Sequence, residues 1–313
     1  MIAFITTPMT FCATVNAIIH TGATPVLADC DPESFCIDPD AIRAAITPRT
    51  RAVVPVHFAG RACDMDAIME IARQHSLQVI EDCAHAVETT WRGQPVGTFG
   101  DYGCFSFYVT KNIMTSEGGM IVMHDADAAD RLKVLALHGM SRDAWARFSD
   151  AGYKHYEVVA AGFKNNMTDL QASLGIHQLH RVHETWARRR VLWDRYLAEF
   201  ADLPVTLPTQ EEAHVEHGLH LFTLLIYERR TGGIRRDALL AAMEAARIGV
   251  GVHYRSIVSH RFYRERFGWR EDQFPHAGRI GNETVSIPLS AKLSDDQQTR
   301  VIDSVRKILT QRG

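Results

Sequence analysis

Short β-rich runs alternate with helical patterns along the first half of the chain, and this alternation restricts the fold more than any other feature. Pro25-Val-Leu-Ala precedes a helical pattern at residues 40–45, Ala52-Val-Val-Pro-Val precedes another at 65–74, and Gln78-Val-Ile-Glu-Asp follows. Strands separated by helices are joined by crossovers and so lie parallel, and a parallel sheet needs helices over both faces to be buried. The expectation is an α/β fold around a mostly parallel sheet. With 313 residues, 46% hydrophobic and 23% charged, the chain can bury one large core and a smaller second one.

The apolar run at 78–80 ends in Glu81 and Asp82, at the carboxyl end of the predicted strand. Open α/β sheets keep their ligands there, so Asp82 is a site candidate on position alone. Two further strands are predicted at 103–108 and 119–123, joined by the polar turn Thr110-Lys-Asn-Ile-Met-Thr-Ser-Glu-Gly, which displays Lys111. The nearby Gly118-Gly119 pair allows another group to approach the backbone closely. A lysine partly withdrawn from water at such a place gives up its proton more easily and becomes a nucleophilic amine.

From Thr168 a long helix is expected, opened by the capping box Thr168-x-x-Gln171 and running past Trp186 and Arg188-Arg-Arg to Phe200. Pro204 and Pro208 punctuate the chain. A second α/β pattern follows, with strands at 221–227 and 250–254 and helices at 236–246 and 295–310. The natural division is residues 1–185 as a large domain and 186–313 as a linking helix with a small C-terminal domain.

The formal net charge of −3 provides no broad basic field, which argues against a nucleic-acid or anionic-membrane partner and favours a small molecule. The six cysteines lie in the first third without a C-x-x-C pair and are expected to be reduced, mostly buried thiols of a cytoplasmic protein. No charged leader with a small-residue cleavage site and no bilayer-length apolar run is found, so neither export nor a membrane anchor is expected. His217 and His220 stand at i, i+3, but they enter a predicted strand without matching cysteine or carboxylate ligands. They are expected to be structural, and no metal is expected.

Several motifs then occur in a telling order: Thr6-Thr-Pro-Met-Thr-Phe, Glu81-Asp-Cys-Ala-His-Ala, Gly97-Thr-Phe-Gly-Asp, Cys104-Phe-Ser-Phe-Tyr-Val-Thr-Lys-Asn, Glu117-Gly-Gly-Met, Leu137-His-Gly-Met, Gly162-Phe-Lys-Asn-Asn-Met-Thr-Asp and Gly251-Val-His-Tyr-Arg. In this order the chain resembles the DegT/StrS family of sugar aminotransferases over nearly its whole length. The resemblance implies the fold type I architecture of enzymes that use pyridoxal 5'-phosphate, with the cofactor in the large domain. It implies that Lys111 carries the cofactor covalently and later moves the proton between substrate and cofactor carbons, and that Asp82 pairs with the pyridine nitrogen. Phe11 matches an aromatic position stacked on the ring, and His85 a position beside its other side. Ser106 matches a phosphate ligand, and Asn166 one supplied by a neighbouring subunit, which implies a homodimer with shared sites. Asn165 stands where the family commonly has tyrosine. His253, Tyr254 and Arg255 match a segment near the sugar or nucleotide end of the substrate.

The reaction so implied moves an amino group from an amino acid, glutamate, to a nucleotide-linked keto-sugar in amino-sugar or polysaccharide biosynthesis. Sugar dehydration on the same scaffold is the alternative in relatives whose lysine is replaced by histidine. The segment from Met1 to Pro8 aligns with the family's second strand, so the first strand and its phosphate-binding Ser-Gly-Thr turn are expected to be missing. That sets weak cofactor binding, or a cofactor-poor fragment that needs a partner, as a further expectation.

Overall fold

The computed structural model describes residues 2–141 and 156–310. The first half winds β1 (Ala3–Thr6), α1 (Cys12–His20), β2 (Thr24–Leu27), α2 (Pro39–Ala45), β3 (Thr50–Val54), α3 (Met65–His75) and β4 (Gln78–Asp82) in strict alternation. Local chemistry sets these boundaries. Asp38 caps α2 ahead of Pro39, whose missing N–H costs nothing at a first helical position. Asp64 caps α3, and Ser76 ends it in the left-handed conformation. Met65, Ile68, Ile71 and Ala72 line the buried face of α3 at helical spacing.

A small hairpin, β5 (Thr90–Trp91) with β6 (Gln94–Pro95), precedes β7 (Tyr102–Ser106) and β8 (Gly119–Val122). The six-stranded sheet has the order β2-β1-β3-β4-β7-β8. Its pairs are parallel except the last, where β8 runs antiparallel to β7. The register sets Asp82 beside Cys104, so the carboxyl ends of β4 and β7 are adjacent. This is the α/β, mostly parallel architecture expected.

Beyond the sheet come α4 (Ala126–Ala136), α5 (Asp169–His180) and α6 (Val182–Phe200). The capping box of Thr168 and Gln171 forms as expected, but the long helix does not run unbroken. Arg181 leaves helical dihedrals (φ −107°, ψ 6°), and its N–H reaches back three residues to Gln178 at 3.1 Å. The two halves answer to different surroundings: α5 buries no residue, whereas α6 buries Val182, Arg189, Leu192, Trp193, Tyr196 and Phe200.

The C-terminal part contains β9 (Val215–Glu216), β10 (Phe222–Leu225), α7 (Arg236–Ala245), α8 (Arg261–Phe267), α9 (Pro275–Glu283), β11 (Thr284–Ile287) and α10 (Asp295–Thr310). β10 and β11 pair antiparallel, and β9 adds to β5. The strand expected at 250–254 is reduced to a single bridge, Gly251 to Ser286. Its residues are drawn away from the small sheet: Tyr254 bonds to His85, and the N–H of Ile257 donates to the carbonyl of Pro8 at 2.9 Å. One hydrophobic cluster joins Ile5, Val53, Ile68 and Val79 to Ala277 and Ile280, and a second gathers Trp193, Tyr196, Phe200 and Phe222 with Leu239, Val301 and Val305. All six thiols are free, four of them buried. Among the described residues no helix is long and apolar enough to cross a membrane.

Candidate functional site

The two carboxylates that end β4 serve different faces, because successive side chains of a strand point oppositely. Glu81 is fully buried and acts as an anchor. Its Oε1 accepts from the N–H groups of Phe99 (2.9 Å) and Gly100 (2.8 Å), and its Oε2 from Gly97 N–H (2.7 Å) and His57 Nε2 (3.0 Å). His57 Nδ1 accepts from Cys63 N–H at 3.1 Å, so the ring proton sits on Nε2 and points at Glu81. Burial pushes the Glu81 carboxyl upward, but His57 and the amides outweigh it and hold it below the usual range. His57, Glu81 and Cys83 lie close enough to share a metal ion. Both ring nitrogens of His57 and both oxygens of Glu81 are already engaged, so the cluster reads as structural.

Asp82 faces the other way. Its Oδ2 accepts from Thr14 Oγ1 at 2.7 Å, and Thr14 is itself paired with Thr10 at 2.8 Å. Its Oδ1 accepts from Ala84 N–H at 3.1 Å. Lys111 sits on the turn after β7, its N–H bonded to the carbonyl of Tyr108 at 2.8 Å. Burial lowers the pKa of its amine against the pull of Asp82, which marks the two side chains as electrostatic neighbours.

Imidazoles wall this space. His85 Nδ1 accepts from Ala59 N–H (3.2 Å), so its proton lies on Nε2 and is donated to Tyr254 Oη (2.9 Å). Tyr254 thus keeps its own hydroxyl proton for another acceptor, and burial raises its pKa so that it stays protonated. His220 lies against His85 with ring centres 4.4 Å apart. His253 bonds Ser286 Oγ at 2.9 Å. Burial lowers the pKa of His85, His220 and His253, and Lys111 adds to the effect in each. The amine is therefore surrounded by neutral rings. Phe11, 56% exposed, meets Tyr254 at 5.6 Å between ring centres and leaves a free aromatic face at the rim.

The expected residues are thus mostly brought together: Phe11, Asp82, His85, Lys111, His253 and Tyr254 share one locality. Ser106 ends β7, its hydroxyl 3.4 Å from Tyr108 N–H. Arg255 is exposed and reaches the carbonyl of Ser259. Asn166 is exposed beside α5, and among the described residues its side chain bonds only the carbonyl of the adjacent Met167, at 3.4 Å.

Sequence reasoning did not single out Thr14, Glu88, Asn112 or Arg189; it read His220 as structural, and the ring bonds Asn112 Oδ1 at 2.9 Å with Lys111 as an electrostatic neighbour. A signal existed for Arg189: Val182, Arg189, Trp193 and Tyr196 fall on one helical face, so the middle arginine of Arg188-Arg-Arg lies on the buried stripe.

Comparison with known proteins places this arrangement. Residues 3–306 match the model of the DegT/DnrJ/EryC1/StrS aminotransferase family. The chain is 46% identical to the spore coat polysaccharide biosynthesis protein SpsC of Bacillus subtilis over 97% of this chain and 78% of that protein. Among solved structures, DesV of S. venezuelae in complex with a ketimine intermediate superposes with a TM-score of 0.89 at 31% identity, covering 100% of this chain and 79% of that one. The PLP form of Spr1654 from Streptococcus pneumoniae superposes with a TM-score of 0.89 at 28% identity, covering 98% and 81%. The chain belongs to the DegT/DnrJ/EryC1/StrS aminotransferase family, the sugar aminotransferases.

Proposed function

We propose that the chain is a pyridoxal-phosphate-dependent aminotransferase that passes an amino group from glutamate to a nucleotide-linked keto-sugar, in the making of an amino sugar for a polysaccharide. The observation that carries this reading is Lys111, a partly buried amine facing Asp82 within a wall of neutral imidazoles.

The donor set suits the cofactor. Lys111 offers a nucleophilic amine for its aldehyde, Asp82 a carboxylate for its pyridine nitrogen, Phe11 an open aromatic face for its ring and Ser106 a hydroxyl for its phosphate. When bound, pyridoxal phosphate supplies an electron sink for the carbanion that follows proton loss from the amino acid. Lys111 would do the proton work as the base beside the substrate carbon, and burial lowers the pKa of its amine, which favours that role. Asp82 is held at a defined place by hydrogen bonds from Thr14 Oγ1 and Ala84 N–H. Tyr254, whose hydroxyl accepts from His85, retains a hydroxyl proton to donate, and Arg255 offers an exposed guanidinium for an anionic carrier group. The presence of Lys111 favours transamination over dehydration.

A homodimer is part of the proposal. Leu170, Leu174, Ile176 and Leu179 on α5 are 82%, 53%, 56% and 57% exposed, and Met120 and Ile121 of the edge strand β8 are exposed as well. An apolar surface of this kind on a soluble enzyme supports a partner, and a second copy covering α5 would bring its Asn166 near the boundary between subunits.

The test is to saturate the protein with pyridoxal phosphate, reduce with borohydride and map the modified peptide. Modification of the peptide containing Lys111 is expected, together with amino transfer from glutamate to one member of a panel of nucleotide-linked keto-sugars. Modification elsewhere, with no transfer to any keto-sugar, would refute the reading.

A further inference from the structure

We propose that Asn112 and Glu88 are positioning residues for Lys111, a clamp that ties the lysine's turn to the buried Arg189 of α6 and to the segment at 217–220. The proposal rests on the reading of Lys111 as the reactive lysine.

Asn112 directly follows Lys111, and three hydrogen bonds hold its side chain. Nδ2 donates to Glu88 Oε2 at 2.8 Å and to the carbonyl of Gly218 at 2.9 Å, and Oδ1 lies 2.9 Å from His220 Nδ1. Two of these partners can only accept, so the amide nitrogen faces them and the oxygen is left for His220. The ring of His220 therefore carries its proton on Nδ1 and donates it to Asn112. The second oxygen of Glu88 is taken by Arg189, an ion pair with both side chains almost wholly buried.

The clamp is anchored on its far sides too. Gly218 N–H donates to the carbonyl of Gly60 at 2.8 Å, and Thr89 Oγ1 donates to the same oxygen at 2.6 Å. A Cβ on Gly218 would lie 2.7 Å from Thr89 Oγ1, so this close approach requires glycine. Asp82, His85 and Glu88 all belong to the stretch that leaves β4, and Glu88 holds Asn112. The clamp thus fixes the Lys111 backbone relative to Asp82 and His85.

A lysine has four rotatable side-chain bonds, so a fixed main chain is what limits where its amine can reach. Misplacing a reacting group by about 1 Å costs on the order of 100-fold in rate. Loosening the turn also admits water to an amine whose pKa is lowered by burial.

The test compares the parent chain with Asn112→Ala and Glu88→Gln. Glutamine at 88 offers one acceptor oxygen where Glu88 uses two, so it breaks one arm of the clamp without changing the side chain's size. The first readout needs no cofactor: the pH dependence of labelling of Lys111 by trinitrobenzenesulfonate, followed by peptide mapping. In the parent the labelling midpoint should lie below that of ordinary lysines. In both variants it should rise toward the ordinary value. The second readout is the glutamate half-reaction of the loaded protein, where a loss of about 10- to 100-fold in kcat with KM changed less than about 3-fold is expected. A folded Asn112→Ala protein with the parent's labelling midpoint and kcat would overturn the clamp. Should that variant not fold, parent-like behaviour of Glu88→Gln would overturn it equally. A Lys111→Ala control that retains a labelled amine of low midpoint would overturn the underlying reading of Lys111 instead.

Discussion

Three buried imidazoles, His85, His217 and His220, should make this protein lose stability at mildly acidic pH. Each ring nitrogen that would take a proton is already engaged or enclosed. His85 Nδ1 accepts from Ala59 N–H, and His217 Nδ1 accepts from Leu219 N–H at 2.8 Å. Burial is the main cause that lowers all three pKa values, to about 3 for His217. The unfolded chain takes up protons near pH 6.5 and the folded chain does not, so the stability is complete above about 6.5 and is lost as pH falls from there toward the folded values. One pH unit below 6.5, each such group costs roughly 1.4 kcal/mol, and the three together about 4 kcal/mol. That is a large share of a typical stability of about 5–15 kcal/mol. Glu81 and Glu212, whose pKa values are lowered, act below about pH 4.5 and leave this window clear. Glu88 and Glu283, both raised by burial, oppose the trend, and the partly buried His253, lowered by burial, adds to it. Urea unfolding followed by circular dichroism at pH 7.5 and 5.5 measures the effect. His217→Asn, whose amide oxygen can still accept from Leu219, should have a pH dependence shallower by about 1.4 kcal/mol over that interval. Equal stability of the parent at both pH values, or an unchanged dependence in the variant, would refute the reasoning.

Lys111→Ala should abolish the borohydride-reducible adduct and lower transfer by at least about 100-fold while leaving the fold intact, read by peptide mapping and circular dichroism. Asp82→Asn should still permit the adduct but slow the glutamate half-reaction by a comparable factor, and stopped-flow rates equal to the parent's would remove Asp82 from its role. Glu81→Gln leaves donors of the Gly97–Gly100 turn and His57 without acceptors, and should destabilise the protein by about 3–5 kcal/mol in urea melts, the usual cost of breaking a buried ionic network. Leu170→Glu with Leu174→Glu should shift sedimentation toward the monomer with little change in the monomer's own stability, because neither side chain is buried in the chain by itself.

The parallel sheet and the turn bearing Lys111 were legible because their signals are local. The alternating runs, the carboxylates ending β4 and the capping box at Thr168 each depend on residues close in sequence, and each formed where expected. Signals that depend on distant partners were not legible. Residues 250–254 have the composition of a strand, but Tyr254 is drawn to His85 across the molecule and only Gly251 remains paired. The helix from Thr168 has no breaker at Arg181, yet it splits there because only its second half has a core to bury. Glu88 and Arg189 lie 101 positions apart, and nothing near either announces the other. The difference between Glu81 and Asp82 is an intermediate case: strand alternation predicts opposite faces, but not which face holds the site.

The ion pair between Glu88 and Arg189 has a consequence for recombination. A chimera that joined residues 1–185 of this chain to the C-terminal part of a relative would inherit Glu88 without any guarantee of its arginine. An unpaired carboxylate would then be stranded beneath the lysine's turn, at a cost of several kcal/mol. Exchange of substrate-side segments among such enzymes should therefore succeed only where position 189 travels with position 88, so the sensible crossover lies beyond α6 and not ahead of it.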